Sequence, residues 1–148
     1  MEGVVAGRVR VIPPGLMRSR GGAVAFGVAN LLTASLVLVG VFVALPSRWW
    51  PVDVAAVLLG ALEIVAGAGL LARAAWAEKA ARAASAVALA LGLFLVTVLA
   101  ITASWLGGTY GPVGRGGSII LGLVAALALP YLVVLPLVQL VWLRPRAK

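Results

Sequence analysis

Apolar positions in this chain do not alternate with polar ones. They run on in four long stretches, Ala23 to Leu45, Val54 to Ala72, Ala84 to Leu106 and Ser118 to Leu143. Each holds about 19 to 26 residues, and at 1.5 Å of rise per residue roughly 20 suffice to cross a hydrocarbon core of about 30 Å. The pattern predicts an all-α protein, a bundle of four transmembrane helices. The connections Pro46–Asp53, Arg73–Ala83 and Gly107–Gly117 are short, so successive helices are expected to be antiparallel neighbours and no second domain fits between them. The expected organisation is a basic arm over 1–22, a transmembrane domain over 23–143 and a basic tail over 144–148.

Helix 1 has the outline of a secretory signal, because basic residues precede an apolar run. That run is longer than a signal core, and Val43-Ala44-Leu45-Pro46-Ser47 offers no small-x-small cleavage site, so a retained signal anchor is the reading. Ahead of it, Arg8-Val9-Arg10-Val11-Ile12 is followed by Pro13-Pro14-Gly15, which breaks any helix. A basic arm resting on anionic lipid accounts for this segment, with roughly 1 kcal/mol of attraction per basic residue. The sharper alternative is a strand that pairs with a partner protein.

Composition agrees with lipid as the solvent. The 148 residues are 64% apolar and 11% charged, against about half and about a quarter in a soluble domain. Twelve Lys and Arg against four acids give a net charge of +8, which on such a chain reflects anchoring at an anionic membrane face rather than nucleic-acid binding. Arg8, Arg10, Arg18, Arg20, Arg73, Lys79, Arg82, Arg144, Arg146 and Lys148 all fall on one side of the predicted spans, where they would contact anionic lipid. Only Arg48 and Arg115 fall on the other. This bias puts both termini in the cytoplasm, and Trp49, Trp50, Trp105 and Tyr110 at the outer ends with Trp76 and Trp142 at the inner ones form the matching interfacial belts. Heavy use of Ala, Val, Leu, Gly and Arg suggests a GC-rich bacterial genome, hence a bacterial inner membrane. With no Cys and no His, thiolate and imidazole metal sites, Cys nucleophiles and His-based triads are excluded. No cofactor, no metal and no enzymatic activity are expected.

One ionisable residue falls deep in a span. Glu63 is the tenth residue of the nineteen-residue second stretch, where a charge costs about 2.5 to 3.5 kcal/mol on insertion scales, so such residues face the bundle interior and mark functional paths. The alternative state is a protonated, hydrogen-bonded carboxyl. Ala56, Gly60, Glu63 and Gly67 share one face at helical spacing, and comparable small-residue stripes occur elsewhere: Ala25, Ala29 and Thr33; Ala84, Ala88 and Gly92; Ser118, Gly122, Ala126 and Pro130. These read as packing seams, with Gly60, Gly67, Gly92 and Gly122 at the closest approaches.

Counting depth from the ends brings Thr33, Glu63, Thr97, Pro130 and Tyr131 to one midplane level. Pro130 cannot donate to Ala126, nor Pro136 to Leu132, so helix 4 is expected to kink and to leave carbonyls for Glu63 or the Tyr131 hydroxyl to satisfy. Asn30 and Gln139 would extend a polar seam toward the cytoplasm. Glu63 is then either a hydrogen-bonding clamp between helices or a group that exchanges a proton or meets a polar ligand. The glycine-rich segment 107–117 lacks the Lys-Ser or Lys-Thr of a P-loop and reads as a flexible connection. Asp53 reads as the N-cap of helix 2, and Arg73, Glu78, Lys79 and Arg82 as a charged elbow around Trp76.

The run Leu59-Gly60-Ala61-Leu62-Glu63-Ile64-Val65-Ala66-Gly67-Ala68-Gly69-Leu70-Leu71, with Trp76 and Arg82 after it, resembles the second helix of small four-helix bacterial membrane proteins, the DoxX-like group among them. The resemblance covers about a fifth of the chain, and it implies an accessory membrane subunit associated with quinone-linked redox complexes. Three functions follow as expectations. The first is a non-enzymatic scaffold or accessory subunit that associates laterally with itself or with other membrane subunits. The second is a proton-coupled or small-solute carrier or channel using Glu63, which in so small a bundle would require a homo-oligomer. The third is a quinone- or lipid-binding subunit with its site near Glu63 and Tyr131.

Overall fold

The computed structural model of the protein describes residues 20–44 and 48–144, and within them the chain is helical apart from short turns. Helix α1 (Arg20–Val39) continues through a π-helical segment, Gly40–Ala44, and is followed by α2 (Trp50–Ala72), α3 (Ala77–Thr109) and α4 (Gly111–Leu129). A second π-helical segment, Pro130–Val134, joins α4 to α5 (Leu135–Trp142) without a break in the helical path. The four resulting rods are long and apolar enough to cross a bilayer. The chain is a multi-pass helical membrane protein.

Three element boundaries depart from the hydropathy pattern, each for a local reason. The charged elbow shrinks to Arg73–Trp76, because α3 begins at Ala77 with Glu78 in its first turn, where a carboxylate favours the positive end of the helix dipole. Helix α2 begins at Trp50, so Asp53 is not its N-cap; it lies in the first turn and pairs with Arg48 at 3.5 Å. The glycine-rich connection is not a loop at all. Helix α3 runs to Thr109 and α4 starts at Gly111, whose φ of +57° makes the reversal in a conformation that residues with side chains rarely adopt. Immediately beyond, α3 and α4 approach so closely that a Cβ on Gly114 would collide with the Leu106 carbonyl, while the Ser118 hydroxyl donates to the carbonyls of Ala103 and Gly114. The glycines in this segment serve helix contact as well as the turn.

The kink expected in α4 takes the form of the π segment. There the Leu135 N–H donates to the Pro130 carbonyl, five residues back, the widened turn that accommodates a helix deprived of regular donors. The Leu132 carbonyl, which Pro136 cannot engage, is not met by Glu63 or Tyr131. It packs against Gly92 of α3, where a Cβ would strike both that carbonyl and the Leu132 Cβ.

Two buried apolar clusters hold the helices together. One, at the end of the bundle that carries Arg20, Arg73, Lys79 and Arg144, joins Ala66 and Leu70 of α2 to Ala77, Ala81 and Ala84 of α3 and to Leu143, with Phe26 and Trp142 packed against it. The other joins Leu59, Ala88, Ala128 and Leu132. Helices α1 and α2 meet through backbone: Gly67 sits 2.8 Å, measured from where its Cβ would be, from the Gly27 carbonyl, and Gly60 is packed by Leu38. Beyond Gly92 no residue of α3 is buried, and before Ala128 the only buried residue of α4 is Gly114. The distal halves of these two helices therefore pack on each other and are otherwise bare.

Candidate functional site

Among the described residues, five polar or charged side chains are buried: Asn30 and Thr33 on α1, Glu63 on α2, Ser85 on α3 and Gln139 on α5, each only 1–3% exposed. All four rods contribute. Their common level follows from the contacts that bracket them. On the α1–α2 face Gly67 meets Gly27 and Leu31 while Gly60 meets Leu38, so Glu63 lies opposite the stretch that contains Thr33. On the α2–α3 face Ala66 clusters with Ala84, and Leu59 with Ala88, which brackets Glu63 against Ser85. Between α3 and the last rod, Gly92 meets Leu132 and Ala84 clusters with Leu143, which brackets Ser85 against Gln139. Finally, the rings of Phe26 and Trp142 pack against each other, tilted by 43° with centroids 4.8 Å apart; Asn30 is one helical turn from Phe26 and Gln139 one turn from Trp142, on the same faces. The five residues form a polar layer between the two apolar clusters.

This layer is chemically unusual for what it lacks. The Ser85 hydroxyl donates to the Ala81 carbonyl of its own helix at 2.8 Å. The amide nitrogens of Asn30 and Gln139 are sealed in the interior with no acceptor, and the side chains of Thr33 and Glu63 make no hydrogen bond or ion pair among the described residues. A buried donor without a partner costs about 1–3 kcal/mol, so the layer is destabilising as it stands. No other charge lies in it. The nearest along α3 is Arg82, one turn from Ser85, and its guanidinium donates to the Leu143 carbonyl at 2.8 Å, satisfying the end of α5. Among the described residues no group of three Asp, Glu, His or Cys gathers to hold a metal ion.

The sequence-derived site is partly reassembled. Thr33 and Glu63 share the layer, and Asn30 and Gln139, expected as a seam toward one end, belong to it. Tyr131 is half-buried against the second apolar cluster. Pro130 faces outward, and Thr97 is exposed with its hydroxyl on the Leu93 carbonyl of its own helix. Both were assigned by depth alone, whereas the clustering of Ala66 with Ala84 and of Leu59 with Ala88 sets the stretch around Ser85, not Thr97, opposite Glu63. Ser85 was missed because a start at Ala84 puts it at the membrane surface, whereas α3 begins at Ala77. Its signal was the stripe Ala77, Ala81, Ala84, Ala88 and Gly92, all buried, with Ser85 on the same face.

Of the packing glycines, Gly60, Gly67 and Gly92 lie in contacts between helices, whereas Gly122 is exposed with open space where a Cβ would stand. The Ser118–Gly122–Ala126–Pro130 stripe is not the buried face of helix 4. That face is Ala128, Leu132, Pro136 and Gln139, about half a turn away, because the small residue at this contact is Gly92 and the large one, Leu132, inserts against it. Arg20, Arg73, Lys79, Arg82 and Arg144 are exposed; Arg8, Arg10, Arg18, Arg146 and Lys148 lie outside the described residues. An open groove of about 340 Å³ is lined by Phe42, Asp53, Val54, Val57 and Leu58, and by none of the five layer residues. Comparisons with family models, curated proteins and solved structures give no match.

Proposed function

We propose that this protein is a carrier or channel component in which the layer of Asn30, Thr33, Glu63, Ser85 and Gln139 binds a proton or a small polar species inside the membrane. One observation carries the reading: buried polar side chains from every rod converge without bonding one another. A helix clamp works by mutual hydrogen bonds, worth about 0.6–2 kcal/mol each in membrane bundles, and this layer makes none between helices. An intramembrane carboxyl held at an energetic cost is the usual mark of an ion or proton path. The bundle is antiparallel with both termini cytoplasmic, supported by the ten-to-two distribution of Lys and Arg, and on that orientation the Phe26–Trp142 stack closes the layer on its cytoplasmic side. A bacterial inner membrane is the location that composition favours.

The test is flux into proteoliposomes under an imposed proton or ion gradient, compared with Glu63→Gln protein of equal helix content and elution volume. Gradient-driven flux lost in the variant supports a carrier. Absent flux in the wild-type protein, or flux that survives in the variant, removes Glu63 from any transport role. A second reading, the lateral scaffold, draws on the bare distal halves of α3 and α4, which a second copy or another membrane subunit would cover. It predicts a defined oligomer in mild detergent whose assembly survives Glu63→Gln.

A further inference from the structure

The chemistry of the layer narrows its occupant, on the reading that it is a binding site. Of its unbonded polar atoms, only the two amide nitrogens are sealed. The side-chain oxygens of Asn30, Thr33, Glu63 and Gln139 make no hydrogen bond among the described residues either, and unlike those nitrogens they keep a little accessible surface. We infer that these oxygens, with Ser85 beside them, coordinate a small monovalent cation of Na⁺ size that has shed most of its water.

Charge and ligand type argue for that class. The layer holds one carboxylate and no basic group: α1 brings only Asn30 and Thr33, α3 brings Ser85, α5 brings Gln139, and Arg82 is engaged with the Leu143 carbonyl. A single positive charge neutralises Glu63, whereas a divalent ion leaves a net charge in the bilayer, since Glu63 is the one acid among the buried side chains described. Carboxylate, hydroxyl and amide oxygens are hard donors suited to a hard cation rather than to a transition metal. An organic cation would need aromatic faces, and the rings nearest the layer are occupied, Phe26 with Trp142 and Tyr131 with the apolar cluster. A proton on Glu63 supplies the charge but gives the other three oxygens nothing to do. The amides of Asn30 and Gln139 are tied by no hydrogen bond, so they are free to turn their carbonyls onto an ion.

The experiment follows the thermal unfolding midpoint of the full chain in detergent at mildly alkaline pH, while NaCl replaces choline chloride at constant ionic strength. The midpoint is expected to rise saturably with Na⁺. The response disappears in Glu63→Gln, and in Thr33→Val it shifts to Na⁺ concentrations about tenfold higher or more, the scale of losing a group that shapes a metal site. Ser35→Ala, which alters an exposed hydroxyl bonded within its own helix to Leu31, leaves it unchanged. Superimposable wild-type curves in Na⁺ and choline overturn the inference without reference to any variant. A pH titration in choline separates this failure from that of the broader reading. A midpoint that depends on pH through Glu63 but not on Na⁺ makes the layer a proton site, and dependence on neither overturns both.

Discussion

Replacing Asn30 by Leu and Gln139 by Met removes each unpaired amide while nearly keeping its volume. Because a buried donor with no acceptor costs about 1–3 kcal/mol, and removing a polar group in favour of an apolar one of the same shape recovers that cost, each variant should be more stable than the wild-type chain by about that amount. Both side chains are almost wholly enclosed, at 1% and 2% exposure, so little of the gain is lost to screening by the surroundings. If the layer instead clamped the helices, the same substitutions would each lose about 0.6–2 kcal/mol of interhelical hydrogen bonding. The two accounts differ in sign, which is easier to measure than magnitude. Reversible unfolding in mixed micelles without Na⁺, followed by tryptophan fluorescence, is the assay; Trp142 lies against Phe26 one turn from both positions and reports on the packing there. Loss of stability in either variant at unchanged helix content would refute the reasoning. The stabilised variants should also lose the response to Na⁺, the trade of stability for function expected where a site holds polar groups at a cost.

Three further outcomes follow from the packing. Gly92→Ala and Gly122→Ala share the same gain in helix propensity, about 1 kcal/mol, but only the first forces a Cβ into the Leu132 backbone, so Gly92→Ala should be the less stable of the two by about 1–3 kcal/mol; equal melting points would show that α3 and the Pro130–Val134 segment are not locked at this contact. Arg82→Ala leaves the Leu143 carbonyl without its donor, and a loss of about 1 kcal/mol, together with faster amide exchange in the last turn of α5, is expected. Arg73 ends α2 at φ 55°, a left-handed conformation that costs a residue with a Cβ about 1 kcal/mol or more, so Arg73→Gly should raise the unfolding free energy by a comparable amount; a fall would show that the side chain contributes more than its backbone costs.

The sequence by itself determined the number and kind of elements, since only a run of about 20 apolar residues satisfies a bilayer and only a helix satisfies its own backbone there. It also determined that Glu63 faces inward, because Ala56, Gly60 and Gly67 share its face at helical spacing and all are buried. It did not determine where α3 begins or which face of helix 4 is buried. Hydropathy cannot see the alanine-rich, charged turns before Ala84 as helix, because a helix end needs no apolar residues, and Ser85 was overlooked with that boundary; the depth assigned to Thr97 failed because the stretch of α3 opposite Glu63 is set by contacts between helices. In helix 4 the small-residue stripe and the buried stripe point different ways. A glycine marks a close approach only if the partner brings bulk to it, and whether Leu132 meets Gly92 or some residue meets Gly122 is settled between helices. The same holds for the layer as a whole: a residue's polarity is local, but that Asn30, Thr33, Glu63, Ser85 and Gln139 share one level and satisfy none of one another's hydrogen-bonding groups is a property of how four rods are placed side by side.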